Sequence, residues 1–295
     1  MLYFPDKSAQ ENEQFSAMLD EINNHLVYVL TEKLGWHDAV NPEMSVGGGH
    51  VVIRFENDGQ RLVFRVPKFG IMQLKRNMMA YRYLGHLDII PEKVYHDGKC
   101  IIELHADGGP FSSKVSDAVL GRMASQLSVM HGIQTNGFGP LNFDLQGGYP
   151  SAAAYFQDRA PLALDWAEMD LTSIQTDALT AALAQSATVP DELQSAPTFL
   201  GHGDLWRNNI LVSQDGFKIV DWDRLGAYPI ERDLAFLWVA GLCASQRALF
   251  YRVYAKTVNR SLLRWFAVRH ILQDGSLRLS KKLKKIQEID LLMHE

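Results

Sequence analysis

The sequence predicts an α+β protein with a small β-rich N-terminal lobe, residues 1–104, and a large helical C-terminal lobe, residues 105–295. Three observations carry this. β-forming runs are concentrated before about residue 105. Helical spacing of apolar residues dominates after it. The one β-like interruption of the second part, between residues 199 and 220, is built around a hairpin signal.

In chain order, residues 11–34 place Phe15, Leu19, Ile22, Leu26, Val29 and Leu30 at helical spacing. A Pro/Gly-rich break, NPEMSVGGG, follows. Two β-like runs, 51–55 and 62–66, flank NDGQ, and Asn-Asp-Gly between β-formers predicts a hairpin. Pro67 ends the second run and residues 72–87 read as a helix. Residues 93–95 and 100–104 form a second strand pair around HDGK. After Asp107-Gly108-Gly109-Pro110 the composition changes, and 114–131 opens the helical part. Within it, runs 210–212 and 217–220 flank Gln214-Asp215-Gly216, a further hairpin signal.

The totals narrow the function classes. A net charge of -5 argues against a nucleic-acid partner. The lone basic run, KKLKK at 281–285, sits in an amphipathic segment and reads as a solvated helix face. Cys100 and Cys243 lie far apart among apolar residues and read as two buried, reduced thiols rather than a disulfide framework or a metal site. The N-terminal segment has polar residues where a signal peptide needs an apolar run, and no stretch is long and apolar enough to span a bilayer. A cytoplasmic protein with no membrane partner is expected.

The most informative segment is GHGDLWRNNILVSQDGFKIVDWDR, residues 201–224. Phosphoryl transfer from a nucleotide needs a carboxylate to orient the acceptor hydroxyl and oxygen ligands for Mg²⁺. Asp204 lies on a loop five residues before Asn209, which opens a β-like run; the returning run of the hairpin ends at Asp221. A hairpin brings its two ends together, so Asp204, Asn209 and Asp221 are expected to converge, with Asp204 as base and Asn209 and Asp221 on the metal. Taken singly, each is the kind of residue that more often caps a turn.

HGDLWRNN, IVDWD and ERDLAFLW, in this order, resemble the aminoglycoside phosphotransferase family and related small-molecule kinases. The resemblance implies a protein-kinase-like, two-lobed fold and ATP- and Mg²⁺-dependent O-phosphotransfer. It implies that Asp204 is the catalytic base, that Asn209 and Asp221 hold Mg²⁺, that His202 braces the loop and that Asp233 is its structural partner. MSVGGGHVVIRF is similar to the loop over the phosphates, with Gly47, Gly48 and Gly49 leaving backbone N–H groups open to an anion. LVFRVPK resembles the third strand, with Arg65 as the phosphate-gripping cation and Lys68 ranked below it. IIELHADGGPF resembles the hinge, where the backbone of Glu103, Leu104 and His105 would meet adenine. One departure stands out: the helix glutamate that pairs with the cation in the family falls at Asn77, and residues 72–87 contain no acid.

Residues 136–156 and LDWAEMDLT are similar to the corresponding region of hygromycin B phosphotransferases. The acceptor is therefore expected to be a cationic, hydroxyl-bearing small molecule of the aminoglycoside type. Its wall would come from Asp144, Asp158, Asp165, Glu168 and Asp170 with Tyr149, Tyr155, Phe156 and Trp166. HGDLW is also similar to fructosamine kinases, which keeps a housekeeping kinase of a fructosamine, choline or homoserine as the alternative. Asn77 motivates a third reading, a non-catalytic nucleotide-binding module.

Overall fold

The hairpin at Asn-Asp-Gly forms as its residues dictate. Asp58 and Gly59 take φ of 50° and 72°, both left-handed, and connect Asn57 to its ladder partner Gln60 in a two-residue primed turn. The structure is a computed structural model that describes residues 9–46, 49–68, 70–159, 171–239, 242–275 and 277–293. It divides into two units, Met1–Lys75 with Pro91–His105, and Arg76–Ile90 with Ala106–Glu295.

The first unit is a helix on a sheet. α1 (Ala9–Tyr28) continues into a π-helical turn, Val29–Lys33. Leu19, Ile22, Leu26, Val29 and Leu30 are buried in one cluster with the sheet. The sheet contains β1 (Val40–Val46), β2 (His50–Asn57), β3 (Gln60–Pro67), β4 (Lys93–His96) and β5 (Ile101–Leu104), in the order β1-β2-β3-β5-β4. Alternate residues Val51, Ile53 and Phe55 of β2 turn inward to meet Leu62 and Phe64 of β3, as a half-buried sheet requires. β1 replaces the first half of the predicted Pro/Gly-rich break. It is an exposed edge strand with Pro42 inside an irregular register between Val40 and Glu43, so it shows none of the apolar alternation that marks a strand in sequence.

α2 (Ile71–Leu84) begins in the first unit and ends in the second, where Ala80, Leu84, Ile89 and Ile90 join the large core. The second unit continues with β6 (Gly109–Pro110) and α3 (Asp117–Met130), whose N-terminus is capped by the Ser116 hydroxyl accepting from Val119 N. β7 (Phe138–Phe143), β8 (Gln146–Tyr149), α4 (Ala152–Gln157), α5 (Ser173–Ala187), α6 (Asp191–Ser195) and β9 (Phe199–Gly201) follow. Next come β10 (Ile210–Val212), β11 (Phe217–Ile219), β12 (Gly226–Tyr228), α7 (Ile230–Val239), α8 (Ala244–Tyr254), α9 (Arg260–Gln273) and α10 (Leu279–Met293). The predicted hairpin is β10–β11, extended by β6. The sheet β8-β7-β12-β9 has no counterpart in the sequence reading. Its strands are short and interrupted by glycines that permit close approach: a Cβ on Gly226 would collide with the Tyr228 ring.

Two expectations are corrected. Cys100 is buried but Cys243 is exposed, because it sits at the N-terminus of α8 rather than inside it. The KKLKK run is not simply a solvated face. Lys282 is buried and its Nζ donates to Leu272 O at 2.7 Å, while Lys285 Nζ donates to Val239 O at 3.0 Å. Both lysines satisfy carbonyls at helix C-termini, of α9 and α7, where positive charge is favoured. Among the described residues no helix is long and apolar enough to cross a membrane. Replacing Lys282 by Met should therefore cost about 1 kcal/mol, whereas Lys281→Met should change stability by less than about 0.5 kcal/mol. Urea unfolding of the two variants distinguishes them.

Candidate active site

β9 delivers the chain to His202, Gly203 and Asp204. Gly203 has φ of 77°, and a Cβ there would collide with Arg224 O and the Tyr228 ring, so the loop tolerates only glycine. Asp233, in the first turn of α7, sits beneath this loop and is almost fully buried. Its carboxylate accepts from His202 N at 2.6 Å, Gly203 N at 2.9 Å and His131 Nε2 at 3.2 Å. His131 in turn accepts the Tyr254 hydroxyl at Nδ1, at 2.7 Å. Burial pushes the Asp233 carboxyl up, but the His131 hydrogen bond, the two histidines and Gly203 N–H outweigh it, and its pKa lies below the usual carboxylate value.

His202 ties the loop to β11. Its Nε2 donates to Val220 O at 3.0 Å, which leaves Nδ1 to accept from Asp204 N at 3.3 Å. The ring packs 4.7 Å from that of Trp222. Asn209 ends a short 3₁₀ turn, Arg207–Asn209, and its Nδ2 donates to Asp204 O at 2.9 Å. Val220 N donates to Asn209 O, also at 2.9 Å. Asp204, Asn209 and the residue before Asp221 are thus joined by direct hydrogen bonds, and the expected convergence of the three side chains' segments is present. Asp221 itself is left-handed, with φ 66° and ψ 60°. That conformation costs of order 1–3 kcal/mol in a residue other than glycine. Its Oδ1 is buried and has no hydrogen-bond partner.

Asn77 is accounted for within the same unit. It is buried, and its Nδ2 donates to Asp223 Oδ1 at 2.8 Å. In the first unit, Arg65 finds its acid elsewhere: Glu103 of β5, Nε to Oε2 at 3.5 Å, with both side chains buried. Val63 is the residue opposite Glu103, so Arg65 and Glu103 are diagonal neighbours on one face of the sheet. Strand parity applied to 63, 65 and 103 was the signal that would have found this pair. Leu104 N donates to Glu92 O at 2.8 Å and His105 N to Arg61 O at 2.9 Å. Gly49 O accepts from Lys68 N at 2.8 Å; Gly47 and Gly48 lie outside the described residues.

The expected acceptor wall is not assembled by those of its members that are described. Asp144 is exposed and paired with Arg82 at 2.8 Å; Asp158 accepts the Tyr149 hydroxyl at 2.5 Å. Tyr155 is buried in the core. Asp165, Trp166, Glu168 and Asp170 lie outside the described residues. Two arginines lie beside the Asp204 loop instead. Arg224 Nε lies 3.8 Å from Asp204 Oδ2, and Arg232 donates twice to Gly203 O, at 3.1 and 2.8 Å. Sequence reasoning missed these residues because they come from separate elements with no shared spacing.

The model of the phosphotransferase enzyme family (APH) matches residues 47–266. No curated relative matches the chain. Among solved structures, the fold is similar to aminoglycoside phosphotransferase APH(4)-Ia, at TM-score 0.60 and 19% identity over 92% of this chain and 98% of that one. A thermostable mutant of that protein was solved with AMP-PNP and hygromycin B. Macrolide 2'-phosphotransferase MphH from Brachybacterium faecium aligns at TM-score 0.58 and 17% identity, covering 90% of this chain and 98% of that one. A protein from Thermobifida fusca provisionally assigned as a fructosamine-3-kinase aligns at 0.56 and 19%, covering 89% and 97%.

The loop also rests on a titrating group. Trp206 packs 4.9 Å from His270, whose Nε2 donates to Arg232 O at 3.3 Å. Burial first, and then Arg232, push the His270 pKa down to about 4. A histidine depressed in the folded state binds its proton more readily when unfolded. Stability is therefore full above the ordinary histidine pKa of about 6.5 and falls as the pH drops from there towards 4. His270→Gln keeps a donor but cannot titrate, so it should remove up to roughly 3 kcal/mol of this acid-dependent loss. Melting curves of both proteins between these pH values would expose the difference; parallel curves would exclude it.

Proposed function

The chain belongs to the phosphotransferase enzyme family, and from that premise we propose that it transfers the γ-phosphoryl group of ATP, with Mg²⁺, to a hydroxyl of a small molecule. The observation that carries the reading is the hydrogen-bonded junction of Asp204, Asn209 and Val220–Asp221, with one Asp221 carboxylate oxygen buried and unpartnered. A buried carboxylate oxygen without a donor is costly unless a cation meets it. Asn209 spends its amide nitrogen on Asp204 O, which leaves its carbonyl oxygen as a hard donor. Two oxygen donors of this kind suit Mg²⁺, so Asn209 and Asp221 would hold it. When bound, the ion would neutralise charge on the transferring phosphoryl group.

Asp204 is the proposed base. Its backbone is fixed from two sides, by His202 Nδ1 and by Asn209 Nδ2, while its side chain keeps 31% of its surface open for an acceptor hydroxyl. The carboxylate orients that hydroxyl and takes its proton. Gly47, Gly48, Gly49 and Arg65 are the proposed phosphate contacts, and the backbone of Glu103, Leu104 and His105 the proposed adenine edge; the order of the family motifs supports this. Glu103 supplies Arg65 with the orienting acid that Asn77 does not. The pair weighs against the non-catalytic reading.

For the acceptor, likeness to APH(4)-Ia supports an aminoglycoside, hygromycin B being the compound in its complexes. The likeness to the Thermobifida fusca protein, and the HGDLW segment, support the metabolite-kinase alternative.

Asp204→Asn should lower kcat by ~10²–10⁴-fold with little change in nucleotide affinity; retention of most activity would remove Asp204 from the role. Asp221→Ala should end the Mg²⁺ dependence of nucleotide binding, and equal wild-type affinity in EDTA and in magnesium would sink the metal assignment. Arg65→Ala should raise the KM for ATP more than Lys68→Ala does, and the reverse ranking would show that the grip is misplaced.

A further inference from the structure

Three metal-ligating side chains that the proposed reaction does not use meet in the first unit, where α1 faces the turn between β4 and β5. His25 of α1 and Asp97 and Cys100 of the turn each offer one ligand atom, and these atoms all lie within 4.8 Å of one another. The turn reads Asp97-Gly98-Lys99-Cys100, and Gly98 takes φ of 86°, a left-handed value that lets the chain reverse tightly. Asp97 and Cys100 are thereby brought together, with Cys100 Sγ 3.5 Å from Asp97 Oδ1. Two ligands flanking two residues of a turn is a spacing that structural zinc sites use. Asp97 Oδ1 also accepts from Lys99 N at 2.8 Å and Cys100 N at 3.1 Å. Backbone bonds of this kind orient a ligating carboxylate.

The helix supplies the third group. His25 Nε2 lies 2.9 Å from Asp97 Oδ2, yet it is buried and has no hydrogen-bond partner, because the approach is out of line for a shared proton. Buried polar atoms are almost always satisfied, so a ring nitrogen set against a carboxylate without bonding to it calls for another partner. A tetrahedral Zn²⁺ ion with bonds of about 2.0–2.3 Å keeps its ligand atoms about 3–4 Å apart. The separations of 2.9 and 3.5 Å within this group are close to that range.

We propose that His25, Asp97 and Cys100 form a zinc site that fastens α1 to the β4–β5 turn, with Nε2, Oδ2 and the Cys100 thiolate as ligands and water in the fourth position. Imidazole, carboxylate and thiolate together suit Zn²⁺, whereas Mg²⁺ takes oxygen ligands, so this ion is distinct from the one proposed for catalysis. Binding forms a Zn–S bond as the Cys100 thiol proton leaves to solvent, and no group is oxidised or reduced. Cys100 is fully buried but Asp97 is exposed, which gives the ion a way in from the turn. An ion held only by the folded unit adds to its stability as the metal concentration rises. Spacing alone does not reveal the set, because His25 comes from a helix remote in sequence from the turn.

The test uses the full chain, stripped with a chelator and reloaded with Zn²⁺ in reducing buffer, without nucleotide and with Mg²⁺ in excess. One zinc retained per chain and a melting temperature that rises with added Zn²⁺ are expected. Co²⁺ in place of Zn²⁺ reports the sulfur: a thiolate-to-cobalt absorption band should appear in wild type, persist in Cys243→Ser and Asp221→Ala, and vanish in Cys100→Ser. His25→Gln and Asp97→Asn change side chains that are each 21% exposed, so they probe the site without cutting into the core. Each should weaken Zn²⁺ binding by more than about tenfold, with the metal-free variants matched to wild type by circular dichroism before loading. No retained zinc, a cobalt band that survives Cys100→Ser, or unchanged zinc affinity in both His25→Gln and Asp97→Asn would each overturn the assignment. The three side chains would then be a polar contact between helix and turn, and nothing more.

Discussion

The candidate active site hangs from the Asp233 carboxylate. One side chain gathers two successive backbone N–H groups of the His202–Gly203 turn and the ring of His131, in a setting with almost no solvent. A buried charge is tolerated only when donors surround it, and removing one partner of such a group costs far more than a surface pair would. Two of these donors, His202 N and Gly203 N, hold the turn that carries Asp204, and the third, His131, ties the carboxylate to the end of α3. Arg232, the neighbouring residue, bonds the carbonyl of Gly203, so consecutive residues of α7 grip both polar groups of one glycine. Loop shape and helix position are therefore one constraint: the loop cannot change shape without exposing charge.

From that anchor the rest of the site follows by short hydrogen-bonded steps. His202 spans from the loop to β11, Asn209 spans from its own 3₁₀ turn back to Asp204, and the Val220 amide closes the circuit. Each link uses a backbone group that the short strands leave unsatisfied. The irregular segments between β9 and β12 hold their shape through these side chains rather than through regular ladders.

Much of this was legible before any coordinates. His-Gly-Asp, Asn five residues on, and Asp at the end of the returning run state a geometry in one line, because a hairpin has few ways to bring its ends together. The α1 and α3 helices and the β2–β3 hairpin were equally plain from period and turn residues. What stayed hidden was carried by groups with no local signature. β1 is a polar edge strand. β7, β8 and β12 are short and glycine-rich, and exist through tertiary packing. The Glu103 partner of Arg65 depended on strand register, and Arg224 and Arg232 come from a 3₁₀ turn and α7. Charge counted along the sequence pointed to an acidic wall, whereas the side chains that meet the Asp204 loop include Arg224 and Arg232.

The Arg65–Glu103 pair has a consequence for control. In a protein kinase the acid that sets the phosphate-binding lysine sits on a helix, and movement of that helix switches the enzyme. Here cation and acid belong to adjacent strands of one sheet, joined by the β3–β5 ladder, and the helix position holds Asn77, committed to Asp223. Hydrogen-bonded strands cannot swing apart as a helix can, so the pair is built in the assembled state. On the proposed role of Arg65, a pair held by a strand ladder leaves no swinging helix by which the phosphate grip could be switched, so control would have to act on the supply of protein and substrate.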